Sequence, residues 1–140
     1  MQQPFNEAAA TIVARRLGIY HVPYTFLWEE GIPYSVCEDF ITPDTELISA
    51  WRIMHSMKKD NSTSLYRHYL NCCEGGVPGM ERAINETIVL DNLIANEDRH
   101  QNNFGLIRDA NTLRWIGAAP IFDSGSCLGY DKLPNHIILP

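Results

Sequence analysis

Between an apolar helical stretch and an apolar extended stretch, the chain carries eight consecutive polar residues, Asn96-Glu97-Asp98-Arg99-His100-Gln101-Asn102-Asn103. A turn needs far less hydrogen-bonding capacity, and connections held between a helix and a strand are where functional groups concentrate. Twenty residues past Asn103, the segment Ala119-Pro120-Ile121-Phe122-Asp123-Ser124-Gly125 delivers one carboxylate from an apolar run and then breaks at glycine. Phosphoryl transfer asks for groups of this kind. One carboxylate orients the attacking hydroxyl and accepts its proton, while oxygen ligands hold Mg²⁺ against the nucleotide phosphates. Magnesium is a hard cation that keeps several waters, so one Asp and one Asn suffice from the protein.

The elements that must position these residues can be read from periodicity. Asn6 is placed to cap a helix beginning at Glu7, and EAAATIVARRL runs in strong helix formers to a stop at Gly18. Aromatic and β-branched residues predict a hairpin with strands near 21–28 and 33–38 about Glu30-Gly31. After a turn at Thr42-Pro43-Asp44 the pattern is helical: residues 46–57, 64–73 and 80–95, the last with an apolar face of Ile84, Ile88, Val89, Leu93 and Ile94. The glycine cluster Gly75-Gly76-Val77-Pro78-Gly79 follows a helix and is not followed by lysine, so it reads as a helix stop and turn, not as a phosphate loop. A second hairpin, turning at Asp109-Ala110-Asn111, separates the polar connection from Asp123. Trp28, Trp51 and Trp115 read as core or lobe-packing residues.

The five-residue step from Asp98 to Asn103 is also that of the kinase catalytic loop. The pattern N-x-D-x-H-x-x-N (Asn96, Asp98, His100, Asn103), followed by A-P-x-x-D (Ala119 to Asp123), resembles the HipA-like kinases. These are bacterial proteins with a variant protein-kinase fold, best known as toxins of toxin–antitoxin pairs. The resemblance extends to a helix opening N-E and closing L-G, here Asn6 to Gly18, and to an interlobe hinge E-x-F, here Glu38-Asp39-Phe40. It implies an α+β protein-kinase-like fold, with residues 1–39 as the remnant of the N-terminal lobe and hinge and residues 40–140 as the mostly helical C-terminal lobe. It implies Asp98 as catalytic base, Asn103 and Asp123 as magnesium ligands, and adenine of ATP at the backbone of Glu38 and Phe40. His100 is expected to hold the loop's shape. Glu97-Asp98-Arg99 is not H-R-D, and Ser124 after Asp123 is not D-F-G, so rules attached to those motifs do not transfer.

The three lysines are Lys58, Lys59 and Lys132, and neither a strand-borne lysine nor a Gly-rich loop precedes the first helix. The chain therefore reads as a fragment of a serine/threonine kinase, expected to transfer little or no phosphate by itself. The alternative from another class is a non-catalytic protein-interaction module of a mobile-element or toxin–antitoxin protein. An antitoxin or a protein substrate is the expected partner. A net charge of −6, from 17 acidic and 11 basic residues, argues against direct nucleic-acid binding. No apolar run of about 18 residues is present to span a membrane. Without a secretory signal, four cysteines with no C-x-x-C pair read as reduced thiols of a cytoplasmic protein. Zinc chemistry at Asp98 and His100 lacks a third ligand.

Overall fold

The computed structural model describes residues 2–73 and 77–131, and within it the chain divides into two compact units. Gly75 and Gly76 of the glycine cluster, Lys132 and His136 lie outside the described residues.

Among the described residues, the first unit comprises residues 2–38, 88–99 and 121–131. Helix α1 (Gln3–Leu17) starts four residues earlier than its sequence suggests, with Pro4 in the first turn, where a missing N–H costs nothing. Asn6 is therefore not a cap. It lies inside the helix, buried, with its side chain committed elsewhere. The helix ends as expected at Gly18, whose left-handed φ of 67° lets the following amides return to the last carbonyls.

Strands β1 (Thr25–Glu29) and β2 (Ile32–Val36) pair antiparallel through the two-residue turn Glu30-Gly31, both residues having positive φ as such a turn requires. The first strand starts later than residue 21 because that segment pairs elsewhere: Val22 N–H donates to the Ile121 carbonyl at 2.9 Å and Ile121 N–H to the Tyr20 carbonyl at 3.0 Å. The core of this unit is Ala10, Ala14, Ile19, Leu90, Ile94, Ile121 and Cys127.

Among the described residues, the second unit comprises residues 39–73, 77–87 and 100–120. Its sequence predicts a helix from Glu46. Instead Thr45–Ser49 is a strand, β3, and helix α2 (Ala50–His55) begins only after it. The reason is a partner distant in sequence: β3 pairs antiparallel with β4 (Gly105–Asp109), which pairs in turn with β5 (Trp115–Ala118). Periodicity cannot reveal a ladder whose partners are so far apart in the chain (Thr45 with Asp109, for one). Arg108 secures the sheet by donating to Glu46 at 2.6 and 2.9 Å while lying over the Trp115 ring. Helices α3 (Leu65–Cys73) and α4 (Met80–Leu93) complete the elements. Ile53, Met54, Tyr69, Leu70, Ile84 and Leu106 form most of the core of this unit.

The buried side of α4 differs from the expected one. Ile84, Leu90 and Ile94 are buried, whereas Ile88, Val89 and Leu93 are exposed. Trp28 and Trp51 are also exposed rather than in a core. No helix among the described residues is long and apolar enough to cross a membrane.

Candidate active site

In the first unit, the chain leaves α4 through Ala95, at a left-handed φ of 50°, and turns into the polar connection. Asn96 shapes this exit. Its side-chain amide donates to Asp91 Oδ1 at 2.9 Å, its own N–H to the Asp91 carbonyl at 2.9 Å, and its Oδ1 accepts from the Asp98 N–H at 3.3 Å. Asp98 itself is exposed, with its Oδ2 3.5 Å from the Ser126 hydroxyl.

The next residue, Arg99, ties this turn to the segment after residue 120. Its Nε and Nη2 donate to Asp91 Oδ2 and Oδ1 at 2.9 and 3.0 Å. Nη1 donates to the Phe122 carbonyl, and Nη2 also reaches Ser124 Oγ at 3.1 Å. A guanidinium is the side chain suited to this task, because its planar fork engages a carboxylate with two bonds and has donors left for a second element.

Asp123 lies between the two residues that Arg99 holds. Its backbone is left-handed, φ 54°, a conformation that Asp tolerates better than most residues, and its carboxylate is exposed. Its N–H lies 3.5 Å from the Tyr24 hydroxyl. Helix α1 grips residues 124–127. Glu7 Oε1 accepts from the Ser124 N–H at 3.1 Å, and Asn6 Nδ2 donates to the carbonyls of Gly125 and Cys127 at 3.0 and 2.6 Å. A Cβ on Gly125 would stand 3.2 Å from Glu7 Oε1 and 3.3 Å from Gln3 Cβ, so glycine permits this approach. Burial pushes the Glu7 carboxyl above its ordinary value, partly offset by the Ser124 N–H. Burial likewise pushes the Cys127 thiol up to about 11, away from nucleophilic use.

The second unit holds the rest of the polar connection. His100 is exposed, and its Nδ1 accepts from the Asn102 N–H at 3.3 Å, while its carbonyl accepts from the Asn103 N–H at 2.9 Å. Asn103 is buried. The Gln101 and Phe104 carbonyls accept from the N–H groups of Trp51 and Ala50 at 3.0 and 2.9 Å, which joins the loop to the start of α2. Glu38 is exposed and ends one chain segment of the first unit. Phe40, partly buried, belongs to the second.

The structure thus brings Asp98 and Asp123 into one unit, beside the two ends of the Arg99 clamp. Asn103, His100 and Phe40 belong to the other unit, and Glu38 to the first. Asp123 offers a carboxylate oxygen in the first unit and Asn103 an amide oxygen in the second, each a donor of the kind that a hard divalent ion takes. Among the described residues, no group of three or more His, Cys, Asp and Glu side chains is placed to hold a metal ion. Sequence reasoning missed Arg99, Asp91 and Glu7 as positioning residues. The signal was an arginine beside the proposed base, and a helix acid on an otherwise small-residue face.

No family model matches the chain. It is 30% identical to the serine/threonine-protein kinase CtkA of Helicobacter pylori over 139 aligned positions, which cover 89% of this chain and 40% of that protein. The crystal structure of the Helicobacter pylori proinflammatory kinase CtkA superposes with a TM-score of 0.76 at 25% identity, over 91% of this chain and 49% of that one. The chain therefore spans less than half the length of the relative it matches. With sequence and fold in agreement, the chain is homologous to CtkA and has its α+β kinase fold over the part they share.

Proposed function

We propose that residues 96–123 form the base-supplying and metal-binding part of a serine/threonine kinase that takes ATP. Asp98 orients a serine or threonine hydroxyl and accepts its proton as the oxygen bonds to the γ-phosphorus and the β–γ bridging oxygen leaves. Asn103 and Asp123 are the residues that would hold Mg²⁺, which when bound neutralises charge on the phosphates. Backbone groups of Glu38 and Phe40 receive adenine. A protein substrate or an antitoxin is the partner of the intact protein.

The observation that carries this reading is the Arg99 clamp. It ties the turn bearing Asp98 to the carbonyl before Asp123 and the hydroxyl after it. A polar loop with a merely structural role has no need to hold two exposed carboxylates at fixed places.

The test is thermal unfolding of the chain with ATP, with and without Mg²⁺. Magnesium-dependent stabilisation is expected for the wild type and for Asp98→Asn, which keeps the nucleotide site, and not for Asp123→Asn. Equal stabilisation of all three removes the metal role.

A second reading has one observation in its favour. The hairpin of β1 and β2 presents Phe26, Leu27, Trp28, Ile32, Tyr34 and Val36 with more than a third of each side chain exposed. An apolar ribbon of this kind suits contact with further polypeptide, as an interaction module requires.

A further inference from the structure

A hollow of about 490 Å³ opens in the second unit, remote in sequence from the hinge and from Asp123. Its volume lies within the range of about 300–1,000 Å³ usual for ligand sites. One side is apolar and adaptable: Met54, Met57 and Leu65, of which Met57 and Leu65 are more than half exposed. Thioether and leucine side chains grouped this way accept an apolar side chain of variable shape.

The rim is cationic. Lys58 and Lys59 line it, and no carboxylate does. Lys59 is held in place, its ammonium donating to the Asp60 carbonyl at 2.9 Å and to the Thr63 carbonyl. An ammonium has three N–H groups, so one remains for a ligand. No salt bridge between described residues engages Lys58 or Lys59. In a chain of net charge −6, the only adjacent pair of lysines is thus spent on the mouth of an apolar recess.

Part of the lining belongs to the polar connection. Gln101 lines the hollow, three residues after Asp98 and two before Asn103. Its carbonyl is fixed by the Trp51 N–H at 3.0 Å. On the floor, His68 Nε2 faces the Met54 carbonyl at 2.9 Å, and His55 stacks on Trp51 with centroids 4.1 Å apart.

We infer that this recess binds an extended peptide segment carrying an apolar residue beside acidic ones, the apolar side chain between Met57 and Leu65 and the acids on Lys58 and Lys59. Reading that segment as part of the phosphoacceptor protein rests on the kinase assignment above. Binding of the peptide itself does not.

The experiment measures fluorescence anisotropy of a short fluorescein-labelled peptide containing leucine followed by paired glutamates, titrated with the whole chain. A control peptide has glutamine at both acids. Wild type is expected to favour the acidic peptide by about two- to fivefold, the scale of one exposed charge pair. Lys58→Glu is expected to abolish that preference, and Leu65→Glu to weaken both peptides. Both positions are exposed, so folding is preserved, which circular dichroism verifies. Asp123→Asn is expected to bind the peptide as wild type does, so that failure of the metal assignment leaves this result standing. Equal binding of the two peptides, indifference to both recess substitutions, no binding at all, or full displacement by millimolar inorganic phosphate would each overturn the inference.

Discussion

Arg99 and Asp91 face each other as a two-bond pair, Nε to Oδ2 at 2.9 Å and Nη2 to Oδ1 at 3.0 Å, with side chains only 10% and 11% exposed. Asp91 sits on the last turns of α4 and Arg99 just past the turn at the helix end, so the pair sets the direction in which Asp98 leaves the helix. The remaining donors of Arg99 then reach Phe122 and Ser124.

Removing one half of such a pair leaves an uncompensated, largely buried charge. Arg99→Ala is expected to lower unfolding stability by about 3 kcal/mol or more, the range for a broken buried ion pair. Arg99→Lys keeps the charge but loses the fork, and is expected to fall between the two. Denaturant titration measures both. A loss below about 1 kcal/mol for Arg99→Ala would mean the pair is an ordinary surface contact.

Asp123 calls for a choice of substitution. At a φ of 54°, asparagine is nearly as tolerant as aspartate, whereas alanine is strained by roughly 1–2 kcal/mol. Asp123→Asn is expected to melt close to wild type and Asp123→Ala several degrees lower. If the two melt together, the left-handed conformation at this position is not held in solution.

Glu7 makes stability depend on pH. Its folded pKa is raised, chiefly by burial, so the folded state binds the proton more tightly than the unfolded chain. The favourable contribution is complete below the unfolded pKa of about 4.5 and is lost as pH rises through the folded value. Glu7→Gln keeps an oxygen for the Ser124 N–H and cannot ionise. Its stability is expected to lack the wild type's decline above pH of about 4.5. Parallel stability–pH curves for the two proteins would show that Glu7 ionises in the fold without cost.

Gly105 stands where the backbone of β3 leaves no room for a side chain on β4. A Cβ there would lie 2.1 Å from the Ile48 carbonyl oxygen, a backbone atom that cannot rotate away. Gly105→Ala is expected to cost at or beyond the top of the roughly 1–3 kcal/mol range for overpacking. Gly117→Ala, on the neighbouring strand and with nothing within 4 Å, is expected to be mild. Similar midpoints in urea for the two variants would contradict the close approach.

Local chemistry made part of this molecule legible in sequence. Gly18 stops α1, Glu30-Gly31 turns the first hairpin, and the helices at Leu65–Cys73 and Met80–Leu93 follow their periodicity, because each is decided by neighbours in the chain. Strand β3 was not legible, since Leu47 and Ile48 fit a helix as well as a strand until β4 supplies a ladder. The buried side of α4 was not legible for a related reason: Leu90 is chosen over Val89 by what packs against it, not by the helix's own pattern.

At the site, side-chain type and spacing singled out Asp98, Asn103 and Asp123. They could not reveal that Arg99 reaches across twenty-three residues to the Phe122 carbonyl. Nor could they show that Asn6 and Glu7 spend their polar atoms on the segment after Asp123, when local sequence alone makes Asn6 a helix cap.

On the proposed reading, Asp123 and Asn103 hold a divalent ion with a nucleotide. Mn²⁺ reports this directly, since it takes the same oxygen ligands as Mg²⁺ and its paramagnetic resonance signal collapses on binding. Titrating the chain with Mn²⁺ and a non-hydrolysable ATP analogue is expected to show a bound ion. Asp123→Asn is expected to bind it at least about tenfold more weakly, a loss of about 1.4 kcal/mol. Identical titrations for wild type and Asp123→Asn would contradict the account.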